Sequence, residues 1–175
     1  EVTAKSKMLP DDIEWHFIGH LQTNKLKMVL PYVSLVQSVD SLRLLKAIDV
    51  WGAANDRVIN VLLEPHVAAE ETKQGFDRDE IMSVLEDSSE YSHICFRGIM
   101  GMATFTDDES VVASDFAAIR SIFDKCRTGF PALSADFTEL SIGMSDDYPI
   151  AIEDGATMVR VGSKVFGARN YSINN

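Results

Sequence analysis

Two stretches near the end of the chain hold residues that could do chemistry: LSIGMSDD, residues 140–147, and RVGSKVFG, residues 160–167. Each runs from an apolar strand pattern into small residues and then a helix start. Gly143 and Gly162 allow the backbone to come close to a ligand, with Met144 following the first. Ser145 and Ser163 offer hydroxyls beside the unpaired N–H groups of a helix start, where an anion is favoured. Arg160 sits inside the apolar run Met158-Val159-Arg160-Val161. A guanidinium buried without a partner is costly, so this position demands one. Ordinary turn chemistry explains a single loop of this kind, with Asp146 as a helix cap. Two on successive final strands, with Arg160 beside the second, point to a phosphate group.

A second group lies in EWHFIGHLQTNK. His16, Gly19, His20, Gln22, Asn24 and Lys25 form either the polar rim of a site or a core histidine followed by solvated helix residues. His16 and His20 are separated by Gly19, no carboxylate or cysteine set completes a metal site, and His66 and His93 are isolated, so no metal is expected. RGIMGMATF brings Gly98, Gly101, Met100 and Met102 to a strand end, for a flat ligand or for packing. Glu70, Glu71 and Lys73 read as a solvated loop. Asp107, Asp108 and Glu109, like Asp146 and Asp147, lie where negative charge meets the positive end of a helix dipole. No Ser-His-Asp or Gly-x-Ser-x-Gly arrangement is present, and no catalytic residue is assigned.

The elements that must position these residues alternate. Strands are expected at 15–18, 34–38, 57–63, 92–99, 138–142 and 156–161. Between them, Thr23 to Val29 reads as a short helix ended by Pro31. Ser41 caps a helix with Leu42, Leu45, Ala47 and Ile48 on its buried face. Asp77 and Glu80 make a capping box for a helix over 78–86. A long helix runs from Asp107 to about Arg127, with Val111, Val112, Phe116, Ile119, Ile122 and Phe123 inward. Asp146 leads a short helix that Gly155 stops. A helical turn and a tail follow from Lys164. Alternation of this kind predicts an α/β fold with a parallel sheet and right-handed crossovers. An open doubly wound sheet and a (β/α) barrel both satisfy it. A closed barrel needs eight strands and about 250 residues.

The 175 residues suggest one domain, 1–175, and 46% apolar with 25% charged residues is ordinary globular usage. No apolar run approaches the roughly 20 residues of a bilayer span. The net charge of −11 argues against nucleic acid as a partner. Cys95 and Cys126 read as buried, reduced thiols in a cytoplasmic protein. The chain opens on Glu1, mid-pattern, and is read as a cut product.

WHFIGHLQTNK, ETKQGF, FRGIMGM and the long block LSIGMSDDYPIAIEDGATMVRVGSKVFGAR together resemble the pyridoxal-phosphate homeostasis proteins. These are the single-domain relatives of the alanine racemase barrel. The resemblance implies a (β/α)8 TIM-type barrel, here as a partial barrel of about six βα units lacking the first two strands. It implies pyridoxal 5′-phosphate as cofactor, its phosphate held by Ser145, Gly162 and Ser163 with Gly143 and Met144 alongside. His16, Gly19 and Met100 would rim the pocket. Arg160 would face the pyridine nitrogen. A guanidinium is a permanent donor, so it favours the unprotonated ring; a carboxylate there would favour the protonated, electron-withdrawing ring.

The family's first-strand lysine, which holds the cofactor covalently, has no counterpart in the sequence, and Lys25, Lys73 and Lys164 do not stand in its place. The expectation is therefore a cofactor-binding homeostasis protein without covalent attachment and without robust catalysis. A racemase-type enzyme fragment and a phosphosugar-binding barrel enzyme are the alternatives. Uncovered sheet edges would invite self-association or pairing with a separate N-terminal piece.

Overall fold

The computed structural model of the chain describes residues 2–6, 8–67 and 75–167. Among the described residues six strands form one sheet: β1 (His16–Phe17), β2 (Leu35–Val39), β3 (Ile59–Leu63), β4 (Ile94–Met100), β5 (Glu139–Met144) and β6 (Met158–Arg160). Every pair is parallel, and the order in the sheet is the order in the chain. A doubly wound sheet reverses its strand order at a switch point. This one does not, so the doubly wound alternative falls and the arrangement is singly wound.

The helices are α1 (Val2–Lys5), α2 (Leu26–Val29), α3 (Leu42–Asn55), α4 (Arg78–Glu86), α5 (Glu109–Gly129), α6 (Tyr148–Glu153) and α7 (Ser163–Phe166). Local chemistry sets their starts. Ser41 Oγ accepts from the Leu44 N–H at the head of α3, and Asp77 with Glu80 closes a reciprocal capping box on α4. The long helix begins two residues later than expected, because Asp108 caps it by accepting from Ser110 N–H. Asp147, not Asp146, stands at the head of α6. Leu42 and Val111 were expected inward but lie on exposed flanks. Leu44 packs inward on α3 instead, the helix being rotated slightly from the expected phase.

The sheet is curled, and side-chain bonds measure it. Neighbouring strands lie about 4.8 Å apart, so in a flat sheet β2 and β5 would stand roughly 14 Å apart and β2 and β6 roughly 19 Å. Yet Gln37 on β2 accepts a 2.7 Å hydrogen bond from Ser141 on β5 and lies 3.0 Å from the sulfur of Met158 on β6. Only a strongly concave sheet brings them together.

Strand alternation divides the two faces. Val36, Val61, Leu63, Ile99, Leu140 and Ile142 join the large core under the helices, with Leu45, Ile48, Ile81, Phe116 and Phe123. Leu35, Leu62 and Met100, with Met158 against them, form a separate small cluster inside the curl. Both thiols are free; Cys126 is buried, Cys95 only partly. Burial pushes the Cys126 thiol up to about 11, which leaves it inert at neutral pH. No helix among the described residues is long and apolar enough to cross a membrane. Glu70, Glu71, Lys73 and the tail beyond Gly167 lie outside the described residues.

Candidate functional site

Arg160 ends β6 and points into the curl, two residues past Met158 on the same face. Its Nη1 donates to the Ser141 carbonyl at 2.8 Å and to Ser141 Oγ at 2.9 Å, and its Nη2 donates to the Gly101 carbonyl at 2.9 Å. The partner that the sequence demanded is thus, in the first instance, the protein itself. Three of five N–H donors are used; Nε and one Nη2 hydrogen have no partner among the described residues. Burial lowers the pKa of Arg160, and the nearby carboxylates of Glu64 and Asp147 oppose that.

The bonds continue in one direction across the concave face. Ser141, fully buried, accepts a hydrogen bond from Arg160 at its Oγ and donates one to Gln37 Oε1. Gln37 Nε2 in turn donates to His16 Nδ1 at 3.0 Å. A donor chain therefore runs from β6 through β5 and β2 to β1, and it holds the guanidinium in a fixed pose.

The two small-residue loops meet at the same end of the sheet. Ser145, after β5, is buried, and its Oγ accepts from the Gly162 N–H at 3.0 Å. That bond leaves the Ser145 O–H available as a donor. Ser163 opens α7 and is exposed. Lys164 Nζ lies 4.7 Å over the Tyr148 ring and ties α7 to the start of α6. The Met144 N–H donates to Asp147 Oδ1 at 2.5 Å, and the Met144 side chain is exposed.

Other expected residues are placed differently. Gly143 has a φ of 91°, and a Cβ there would come within 2.6 Å of Ala151 Cβ. Its close approach is to α6, so packing is what demands the glycine. Gly98 and Gly101 are also packing positions: a Cβ would meet the Glu139 backbone at the first and the Ile119 side chain at the second. Met100 is buried on the floor of the curl and is not part of a rim. His16 and Gly19 are exposed at the β1 side, and the Gly19 carbonyl accepts from Ser38 Oγ.

Sequence reasoning missed Gln37, Ser141, Asp40 and Glu64. Asp40 follows β2 and accepts from Ser41 Oγ at 3.0 Å, with His20 Nδ1 at 3.0 Å from its other oxygen. These residues line a small cavity of about 230 Å³. Glu64 follows β3. Burial, and then the Asp40 carboxylate, push its carboxyl up to about 7, against the lowering pull of Arg160 and His20. One signal was available: Gln37, with Ser38, stands inside the strand pattern Leu35-Val36-Gln37-Ser38-Val39, as Arg160 stands inside its own. A larger groove of about 780 Å³ lies on the outer face between α4, α5 and the end of α6, away from this network. Among the described residues no cluster of His, Cys, Asp or Glu is arranged for a metal.

The described arrangement offers a fixed cation, a buried hydroxyl, backbone N–H groups and a carboxyl that titrates near neutrality. Against known proteins, residues 9–170 match the family model of the alanine racemase N-terminal domain. The pyridoxal phosphate homeostasis protein of Haemophilus influenzae is 34% identical over 161 residues, 92% of this chain and 67% of that protein. The chain belongs to this family. The homeostasis protein of Aquifex aeolicus, also of the family, is 36% identical over 98% of this chain and 74% of its own length. Among solved structures, PipY of Synechococcus elongatus without PLP superposes with a TM-score of 0.87 at 31% identity, over 95% of this chain and 77% of PipY. PipY with PLP bound gives 0.81 at 30% identity, over 94% of this chain and 75% of PipY.

Proposed function

We propose that the concave face binds pyridoxal 5′-phosphate and that the protein serves cofactor homeostasis rather than catalysis. The observation that carries the reading is the Ser145–Gly162 bond beside the anchored Arg160. It gathers the last two βα loops into one anion cradle with a cation deeper in the curl. The residues present fit the group. Ser145 Oγ–H and the N–H groups around Gly162 and Ser163 would hold the phosphate, with Gly143 and Met144 alongside. The unused Arg160 donors suit a pyridine nitrogen that accepts. When bound, the cofactor supplies an electron-accepting ring; a guanidinium at its nitrogen leaves the ring unprotonated and subdues that chemistry. The sharing of the family with PipY, a protein solved with PLP bound, supports the same reading.

The curled six-stranded sheet is taken as six βα units of an eight-stranded barrel, with residues 1–175 as one binding domain. The sequential strand order and the strong curl support this. β1 and β6 form the outer edges of the sheet, where another chain would pair. Two free thiols suit a cytoplasmic setting.

The test is the absorbance spectrum of the cofactor on the wild type and on Arg160→Glu. Binding by the wild type with a shifted spectrum in the variant is expected. An unchanged spectrum removes the Arg160 contact, and absence of binding by the wild type removes the whole reading.

A further inference from the structure

Glu64 is a charged group on the concave side that the donor chain does not use. Its position follows from register and alternation. Leu63 points to the helices and Leu62 into the curl, so Glu64 returns to the concave side. The pairing of Val39 with Leu63 sets Asp40 beside Glu64, and the Glu64 N–H is held by the Val39 carbonyl at 2.9 Å. Leu62 and Met158 share the small inner cluster. Glu64 stands two residues beyond the first and Arg160 two beyond the second, so both belong to the next layer of the same bowl.

The groups that face Glu64 come from three elements. Asp40 follows β2 and is paired with His20, which follows β1. Arg160 comes from β6, and Asp147, at the head of α6, faces Arg160 in turn. One carboxylate beside another disfavours ionisation, and a cation opposite favours it. A dianionic phosphate entering this bowl adds negative charge on the side where Arg160 had been the counter-ion.

We infer that Glu64 is the proton-accepting counterweight of this site, so that an anion binds on the concave face together with uptake of a proton at the Glu64 carboxyl. The inference rests on the proposed binding of a phosphorylated ligand. Its direction is fixed by sign: an arriving anion favours the neutral acid, so binding takes up a proton near neutrality and weakens as pH rises. The near-neutral titration of Glu64 places the effect in an accessible range.

Isothermal titration calorimetry of the whole chain with pyridoxine phosphate, which lacks the reactive aldehyde, tests this in two buffers of different ionisation heat. The wild type should take up a fraction of a proton at about pH 7 beyond the ligand's own titration. Glu64→Gln should lose that fraction, while Glu64→Asp and His20→Gln should keep it. Between about pH 6 and pH 8.5 wild-type affinity should fall roughly fivefold more than that of Glu64→Gln. Equal proton uptake and parallel pH profiles in wild type and Glu64→Gln overturn the inference and leave the binding site standing. Loss of the uptake in His20→Gln instead assigns the proton elsewhere and also overturns it. No binding by wild type or variant at any pH overturns the binding reading itself.

Discussion

The two faces of the sheet are built from the same strands by different rules. On the convex face the buried strand residues, from Val36, Val61 and Leu63 to Phe96, Leu140 and Ile142, are aliphatic or aromatic and join the core under the helices. On the concave face a floor of Leu35, Leu62, Met100 and Met158 gives way to Gln37, Ser141, Glu64 and Arg160. Both faces are buried along the strands, so each reads as a nearly continuous apolar run. What separates them is the isolated polar residue. On the convex face one would be stranded in hydrocarbon; on the concave face it is held by a neighbour that the curl brings across.

The largest effect should come from the convex face. Phe116 on α5 is fully buried in the main core. Phe116→Ala should cost about 3–5 kcal/mol in denaturant unfolding. A loss as small as that of an exposed substitution would show that the helices are not packed on the sheet as described. Next comes Gly143, where the two faces meet at the end of β5. An alanine there needs a φ of 91° and room that Ala151 already fills at 2.6 Å. Gly143→Ala should cost roughly 2–4 kcal/mol, seen as a lowered Tm. Loss of binding with unchanged Tm would return this glycine to the ligand.

The concave face should respond to pH where the convex face does not. The Glu64 carboxyl is raised from 4.5 to about 7 in the folded protein. The unfolded chain therefore gives up this proton first, and stability falls as pH rises from about 4.5 to about 7, then levels. Glu64→Gln removes that loss. It should stabilise the protein on the order of 2 kcal/mol above about pH 7.5 and do nothing below about pH 4. A pH-independent difference would mean that the carboxyl is solvated.

Much of this was legible. All six strands lie within a few residues of their expected limits, because strand runs, caps and breakers are local signals. Arg160, Ser145, Gly162 and Ser163 were marked by residue type alone. Glu64 was not, since at the sequence level it only opens a polar loop. Its neighbourhood depends on the register of β2 and β3 and on the curl, which no local window contains. Gln37 was overlooked, although the logic applied to Arg160 applies equally to it.

The smallest expected effect on stability sharpens the comparison between two glycines in adjacent loops. Gly162 has φ −116° and ψ −68°, a backbone that other residues adopt, and a Cβ there would meet nothing within 4 Å. Packing therefore gives no reason for a glycine, in contrast to Gly143. Gly162→Ala should change unfolding stability by less than about 0.5 kcal/mol. The open space is nonetheless the space beside the Ser145–Gly162 bond, where a bound phosphate would approach the backbone. Binding of pyridoxine phosphate, measured by calorimetry on the same sample, should weaken several-fold while Tm stays level. If affinity also stays level, Gly162 is no part of an anion cradle, and the two loops meet for structural reasons alone.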